Sequence, residues 1–255
     1  MRVTVCQMHD APDAFASDWT ALCRHVAQEQ SALVLLPEMP FAAWFGIQRQ
    51  FVQALWEAAV NAHEAWLARL DELAPAVVLT TAPVERGGRR LNEAFVWVRG
   101  EATPAHHKRY LPEEDGFWEA FWYERGDGAF ELVEAAGARV GFQICTELWT
   151  LEEARKYGLA GADIVAAPRA TPMSTRERWL VAGRAAAILA GAYCLSSNHC
   201  GASVEGGFEF AGLGWIIDPD GEVLAQTSDA APFVTCEIDL ERARAAKSTY
   251  PRYVR

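Results

Sequence analysis

A layered α/β fold is predicted by three observations. Short β-type apolar runs alternate with longer segments of helical periodicity, turn signals fall between them, and 51% of the 255 residues are apolar, enough to bury a large core. The first strand is predicted over 3–7, where Val3 and Val5 alternate with polar neighbours, and a helix follows over 14–29. A strand over 33–36 precedes a helix over roughly 49–73. Strands over 76–82, 92–97 and 105–108 come next, the first two joined by a hairpin at Gly87-Gly88. A strand over 139–144 leads to a helix over 151–160, with Thr150 as its cap and Glu152 and Glu153 in its first turn. The pattern continues with a strand over 164–167, a helix over 175–190 and strands over 193–198 and 214–217. Asp218-Pro219-Asp220-Gly221 marks a turn followed by a further strand, and the last strand covers 233–238. With no linker, repeat or low-complexity tract, residues 1–255 read as a single domain with a short C-terminal tail from about 240.

Composition excludes several partners. The excess of 34 acidic over 23 basic residues gives a formal charge of -11, and no run of Lys and Arg offsets it, so neither nucleic acid nor an anionic membrane surface is expected. The N-terminal residues lack the apolar stretch of a signal peptide, and no segment reaches the roughly 20 apolar residues of a membrane span, so a cytoplasmic location is expected. The six cysteines, at 6, 23, 145, 194, 200 and 236, lack the paired spacing of zinc sites. His199 and Cys200 are adjacent on a strand and point to opposite faces, which argues against a shared metal ion.

Three segments end a buried strand in one reactive polar residue: LVLLPEMPF in Glu38, PAHHKRYLP in Lys108 and VGFQICTELW in Cys145. Alone, each is ordinary: a core cysteine, a Pro-Glu turn, a solvated lysine. Together they are complementary. A thiol needs a base to take its proton, which Glu38 can be, and an attacked carbonyl needs a positive donor, which Lys108 can be, aided by the backbone N–H of Thr146.

These motifs, Leu36-Pro37-Glu38, His107 to Pro112 and Gly141 to Glu147, together with Gly161-Ala162-Asp163 and Pro168, resemble the nitrilase superfamily of carbon-nitrogen hydrolases over residues 1 to about 240. The resemblance implies a four-layer αββα sandwich with Cys145 as nucleophile, Glu38 as general base and Lys108 at the oxyanion. It also implies no metal or organic cofactor. A second glutamate often follows the lysine in that family, and Glu119 matches it best, with Glu113 and Glu114 as rivals. The implied activity is hydrolysis of a small linear amide or N-carbamoyl compound through a thioester. A nitrilase and a catalytically silent binding protein are the alternatives, and acyl transfer to another acceptor is a third. A homodimer is implied, and the short tail argues against larger assemblies.

Aromatic residues crowd the three motifs, and Trp44, Trp118 and Trp149 are candidate pocket walls for a small-molecule substrate. Arg169, after the strand at 164–167, is a candidate for a substrate carboxylate, with pairing to Glu147 the structural alternative. Asn198, at the end of its strand, is a further candidate contact.

Overall fold

A computed structural model describes residues 1–204 and 206–254. In chain order it runs β1 Arg2–His9, α1 Pro12–Glu29, β2 Leu33–Leu35, α2 Gln53–Leu67, β3 Val77–Arg86, β4 Arg89–Val98, β5 Glu101–His107 and α3 Glu119–Trp122. It continues with β6 Val133–Ala135, β7 Ala138–Phe142, α4 Leu151–Ala160, β8 Ile164–Arg169, α5 Arg176–Ala190 and β9 Tyr193–Ala202. The last elements are β10 Glu209–Ala211, β11 Trp215–Ile217, β12 Val223–Gln226, β13 Phe233–Glu237 and α6 Leu240–Ala246.

The strands form two sheets that share β1. Its first half pairs in parallel with β2 and antiparallel with β13, whereas Gln7 to His9 pair in parallel with β9. One sheet then runs β1-β2-β3-β4-β5 and the other β9-β8-β7-β6, with β10 and β11 on β9. Where the sheets part, the Ser197 hydroxyl accepts from the Cys6 N–H at 2.9 Å and donates to the Leu35 carbonyl at 2.6 Å. This polar staple keeps buried backbone groups satisfied at the fork.

Alternation along the strands makes four layers. Val3, Val5, Leu33, Leu35 and Leu79 face Val140, Phe142, Ile164 and Ala166 across the middle of the molecule. On the outer side of the first sheet, Val34, Leu36 and Val78 pack on Phe15, Trp19, Leu22 and Val26 of α1. Ala154 and Tyr157 of α4 and Ala182, Ala186 and Ala187 of α5 cover the second sheet. The αββα sandwich expected from sequence is the observed fold.

Several local expectations change. The helix expected over 49–73 begins at Gln53 and tightens to a 3₁₀ turn at Ala68–Leu73, ahead of Pro75. Helix α4 begins at Leu151, but the Thr150 side chain makes no capping bond; its carbonyl instead accepts from the Glu153 N–H at 3.0 Å and Gln143 Nε2 at 3.0 Å. The segment read as a tail forms α6, and Lys247, the residue after it, donates its ammonium to the carbonyls of Ala162, Ala190 and Gly191 at 2.5 to 2.8 Å. It therefore caps the C-terminal ends of α4 and α5. Among the described residues no helix is long and apolar enough to cross a membrane.

Helices α4 and α5 approach most closely at Gly158, where an added Cβ would lie 2.5 Å from the Ala190 carbonyl oxygen. A backbone atom cannot rotate away. Gly158→Ala is expected to destabilise the fold by about 1–3 kcal/mol, read as a lower urea midpoint at unchanged slope; an unaltered midpoint would show that the helices separate without cost.

Candidate active site

Glu38, Lys108 and Cys145 all lie just beyond strand C-termini, of β2, β5 and β7 respectively. All three strands run in the same direction, so their ends open on one edge of the sandwich. Glu38, Lys108 and Glu119 are each fully buried. The Lys108 ammonium donates to Glu38 Oε1 at 2.8 Å and to both Glu119 oxygens at 2.7 Å. All three of its protons are thereby placed. Glu119 is thus the acid that joins the set; Glu113 is not among the cavity-lining side chains, and the exposed Glu114 stands at the mouth.

Glu38 is held asymmetrically. Asn92 Nδ2 donates to Oε1 at 2.8 Å, beside the lysine, while Oε2 has no hydrogen-bond partner among the described residues. Its backbone is fixed from the other sheet: the Glu38 N–H donates to the Arg169 carbonyl at 3.3 Å, and His199 Nε2 donates to the Glu38 carbonyl at 2.6 Å. The next residue, Met39, has φ 50°, as Cys145 has φ 47°. Non-glycine residues in the left-handed region cost free energy, and here the strain turns the chain sharply at both reactive side chains.

Cys145 opens a 3₁₀ turn and is 3% exposed, its Sγ 3.9 Å from the Ala170 carbonyl. Glu147, two residues on, ties this turn to the lysine strand. Its Oε2 accepts from the Ile144 N–H and His106 Nε2, both at 2.8 Å, and its Oε1 from the Arg109 N–H at 2.6 Å. Burial disfavours the His106 cation, but Glu147 more than offsets this and the imidazole is held above its ordinary value.

The electrostatics are those of a dry cluster. Burial works against the Lys108 charge, yet Glu119 and Glu38 overcome it and the ammonium holds its proton more tightly than usual. Burial pushes the Glu119 carboxyl up to about 8, opposed by Lys108 and reinforced by Glu38. Burial and the Glu38 charge push the Cys145 thiol up, with Lys108 pulling the other way. The resting group is a neutral thiol that needs a base.

Above the thiol lies a cavity of about 250 Å³. Phe117, Thr146, Trp149 and Trp179 wall it, with Cys145, Ala170 and Thr171 at the floor. Of the side chains expected to contact substrate, Thr146 and Trp149 do line it. Trp44 does not: its indole is buried behind Phe117, with Nε1 donating to the Gly116 carbonyl at 3.0 Å. Trp118 is turned toward the Arg49 guanidinium, 4.7 Å from its ring. Arg169, the candidate for a substrate carboxylate, does not line the cavity, nor does it pair with Glu147. It is fully buried, 3.9 Å from the Trp215 ring, and donates to Ser196, Thr171 and the Leu213 carbonyl. Asn198 is also withdrawn, bonding the Thr171 N–H at 2.9 Å and the Gly212 carbonyl at 2.7 Å. Both residues shape the loop behind the floor. Asn92 and Glu147 are the important neighbours not singled out as such from sequence; Asn92 sits on β4 beside the lysine strand, a pairing visible only after folding.

Fold and site together define an αββα protein with a buried carboxylate–ammonium–carboxylate set beside a strained cysteine. The carbon-nitrogen hydrolase family pattern matches residues 2–248, and the chain belongs to that family. It is 24% identical over 249 residues to the N-carbamoylputrescine amidase of Arabidopsis thaliana, covering 90% of this chain and 82% of that one. It is 32% identical over 247 residues to a nitrilase of Pyrococcus abyssi, covering 91% and 86%. The crystal structure of a carbon-nitrogen hydrolase from Helicobacter pylori superposes with a TM-score of 0.88 at 23% identity, covering 99% of this chain and 94% of that one.

The raised Glu119 carboxyl makes stability fall with pH. Its proton is bound in the folded state up to about 8 but leaves the unfolded chain near 4.5, so stability is present below 4.5 and lost as pH rises toward 8. Glu119→Gln, which mimics the protonated acid, is expected to flatten the decline of Tm between pH 5 and 8; a decline as steep as the wild type's would contradict the assignment.

Proposed function

We propose that this protein hydrolyses a non-peptide carbon-nitrogen bond of a small linear amide or N-carbamoyl compound through a thioester on Cys145. The observation that carries the reading is Glu38: one oxygen is pinned by Lys108 and Asn92, and the other is buried with no partner among the described residues, able to take a proton beside a neutral thiol. Glu38 accepts the Cys145 proton as Sγ attacks the carbonyl carbon. The carbonyl oxygen becomes negative and is met by Lys108 and the Thr146 N–H. The carbon-nitrogen bond then breaks, and the proton held by Glu38 goes to the leaving ammonia or amine. Water adds to the thioester, Glu38 takes its proton, and the acid leaves with Cys145 again a thiol. Glu119 keeps Lys108 charged and aimed.

The relatives support this reading, one by name an N-carbamoylputrescine amidase. The nitrilase relative favours a second one, conversion of a small nitrile to an acid on the same residues. Amide and nitrile of one carbon skeleton, compared by kcat/KM, separate the two.

The protein further reads as a single catalytic domain that works as a cytoplasmic homodimer. Support for the dimer comes from Leu159 of α4 and Val181 of α5, 68% and 65% exposed on the outer helical layer. Support for the compartment comes from six cysteines present as free thiols. Sedimentation equilibrium at micromolar concentration checks the dimer.

Cys145→Ala is expected to lower kcat on amides by about 10⁴-fold or more, and Glu38→Gln by about 10²- to 10⁴-fold. Intact-mass spectrometry during turnover should show an acyl adduct on the wild type and none on Cys145→Ala. No turnover of amides, carbamoyl compounds or nitriles, with no adduct, would sink the hydrolase reading.

A further inference from the structure

The cavity above Cys145 carries two charged side chains at its mouth that the chemistry at its floor does not use. Arg178 stands on α5 and Glu114 on the loop after β5; both are exposed, whereas Cys145, Ala170 and Thr171 at the floor are buried. Neither side chain makes a hydrogen bond or ion pair among the described residues. They line one cavity without pairing with each other, so their charges remain available to a molecule between them.

The position of Arg178 is informative. It is the third residue of α5, within the first turn, where the helix dipole disfavours a cation. Its neighbour Trp179 is buried and lines the same cavity, which fixes the direction in which the arginine leaves the helix. A guanidinium held by neither dipole nor partner, beside N–H groups that also favour negative charge, is matched to a carboxylate that can take it bidentately. The cavity, about 250 Å³, lies below the roughly 300–1,000 Å³ usual for drug-sized ligands, which limits the substrate to a short chain.

Resting on the hydrolase reading, we propose that the substrate is a short amide or N-carbamoyl compound with a free carboxylate at the end away from the scissile bond, held by Arg178. The aliphatic stretch between lies against Phe117, Trp149 and Trp179. Glu114 on another wall repels a second carboxylate and accepts an ammonium, so an α-amino group beside the carboxylate is compatible with the mouth. The role that the sequence suggests for Arg169 passes to a residue nine positions later.

The test compares kcat/KM for glutaramate, pentanamide and 4-aminobutanamide, which end in a carboxylate, a methyl and an ammonium. Glutaramate is expected to exceed pentanamide by roughly tenfold or more, mainly through KM, with the advantage shrinking as salt rises. Arg178→Met should collapse the ratio toward one by raising KM for glutaramate, and Arg178→Lys should retain part of it. Equal or better use of pentanamide or 4-aminobutanamide, or an Arg178→Met ratio like the wild type's, overturns the carboxylate proposal while leaving the hydrolase standing. Absence of turnover and of a Cys145 adduct with all three and with the wider amide, carbamoyl and nitrile panel overturns both.

Discussion

The Lys108 ammonium, fully buried between Glu38 and Glu119, is the contact on which the site depends. An unpaired charge at that depth would cost several kcal/mol, and a single carboxylate would leave ammonium protons without acceptors. Two carboxylates satisfy all three protons but bring two negative charges within reach of each other. Burial, reinforced by the nearby Glu38 charge, raises the proton affinity of Glu119. The cluster holds one ammonium between two acid side chains. The aromatic shell of Trp44, Phe45, Trp56, Trp122 and Tyr123 keeps it dry, and dryness makes each short contact strong.

The three parts of the site come from two sheets, so their alignment needs contacts that cross between them. Glu147 joins the Cys145 turn to the end of β5 through three hydrogen bonds, and the Glu38 N–H reaches the Arg169 carbonyl at the end of β8. Arg169 and Asn198 act in the same sense, holding Thr171 and with it the floor of the cavity. Their burial explains why neither faces substrate: each saturates its polar groups on loop backbone and hydroxyls, which leaves little with which to bind a ligand.

Much of this was legible in the sequence, and the illegible part has definite causes. Glu38, Lys108 and Cys145 stood out because each ends an apolar strand, where a reactive polar residue is expensive and needs a reason. The long strands and α1, α4 and α5 were clear from periodicity. Strands β6 and β10 are three residues each, too short to carry a period, and the Arg-rich sequence of α6 hid the side that packs on the helix ends. The pocket walls are illegible in the sequence for a different reason. Trp44 and Trp118 are near the motifs in sequence, but which face of a loop meets the cavity depends on backbone turns and on rings stacking behind it, and neither has a local signature. Arg178 carries no local signal either, because its relation to Cys145 runs through the packing of α5 on the second sheet.

The division of β1 between the sheets has one more consequence. The base and the lysine belong to one half of the β-sandwich and the thiol to the other, and a single eight-residue strand with its Ser197 staple is the hinge pin common to both. Any loosening at that fork shifts thiol and base relative to each other before either half has lost its own hydrogen-bonded order. Activity in such a molecule is a gauge of how the halves are joined, and it should fade ahead of the secondary structure when the protein is heated or stored.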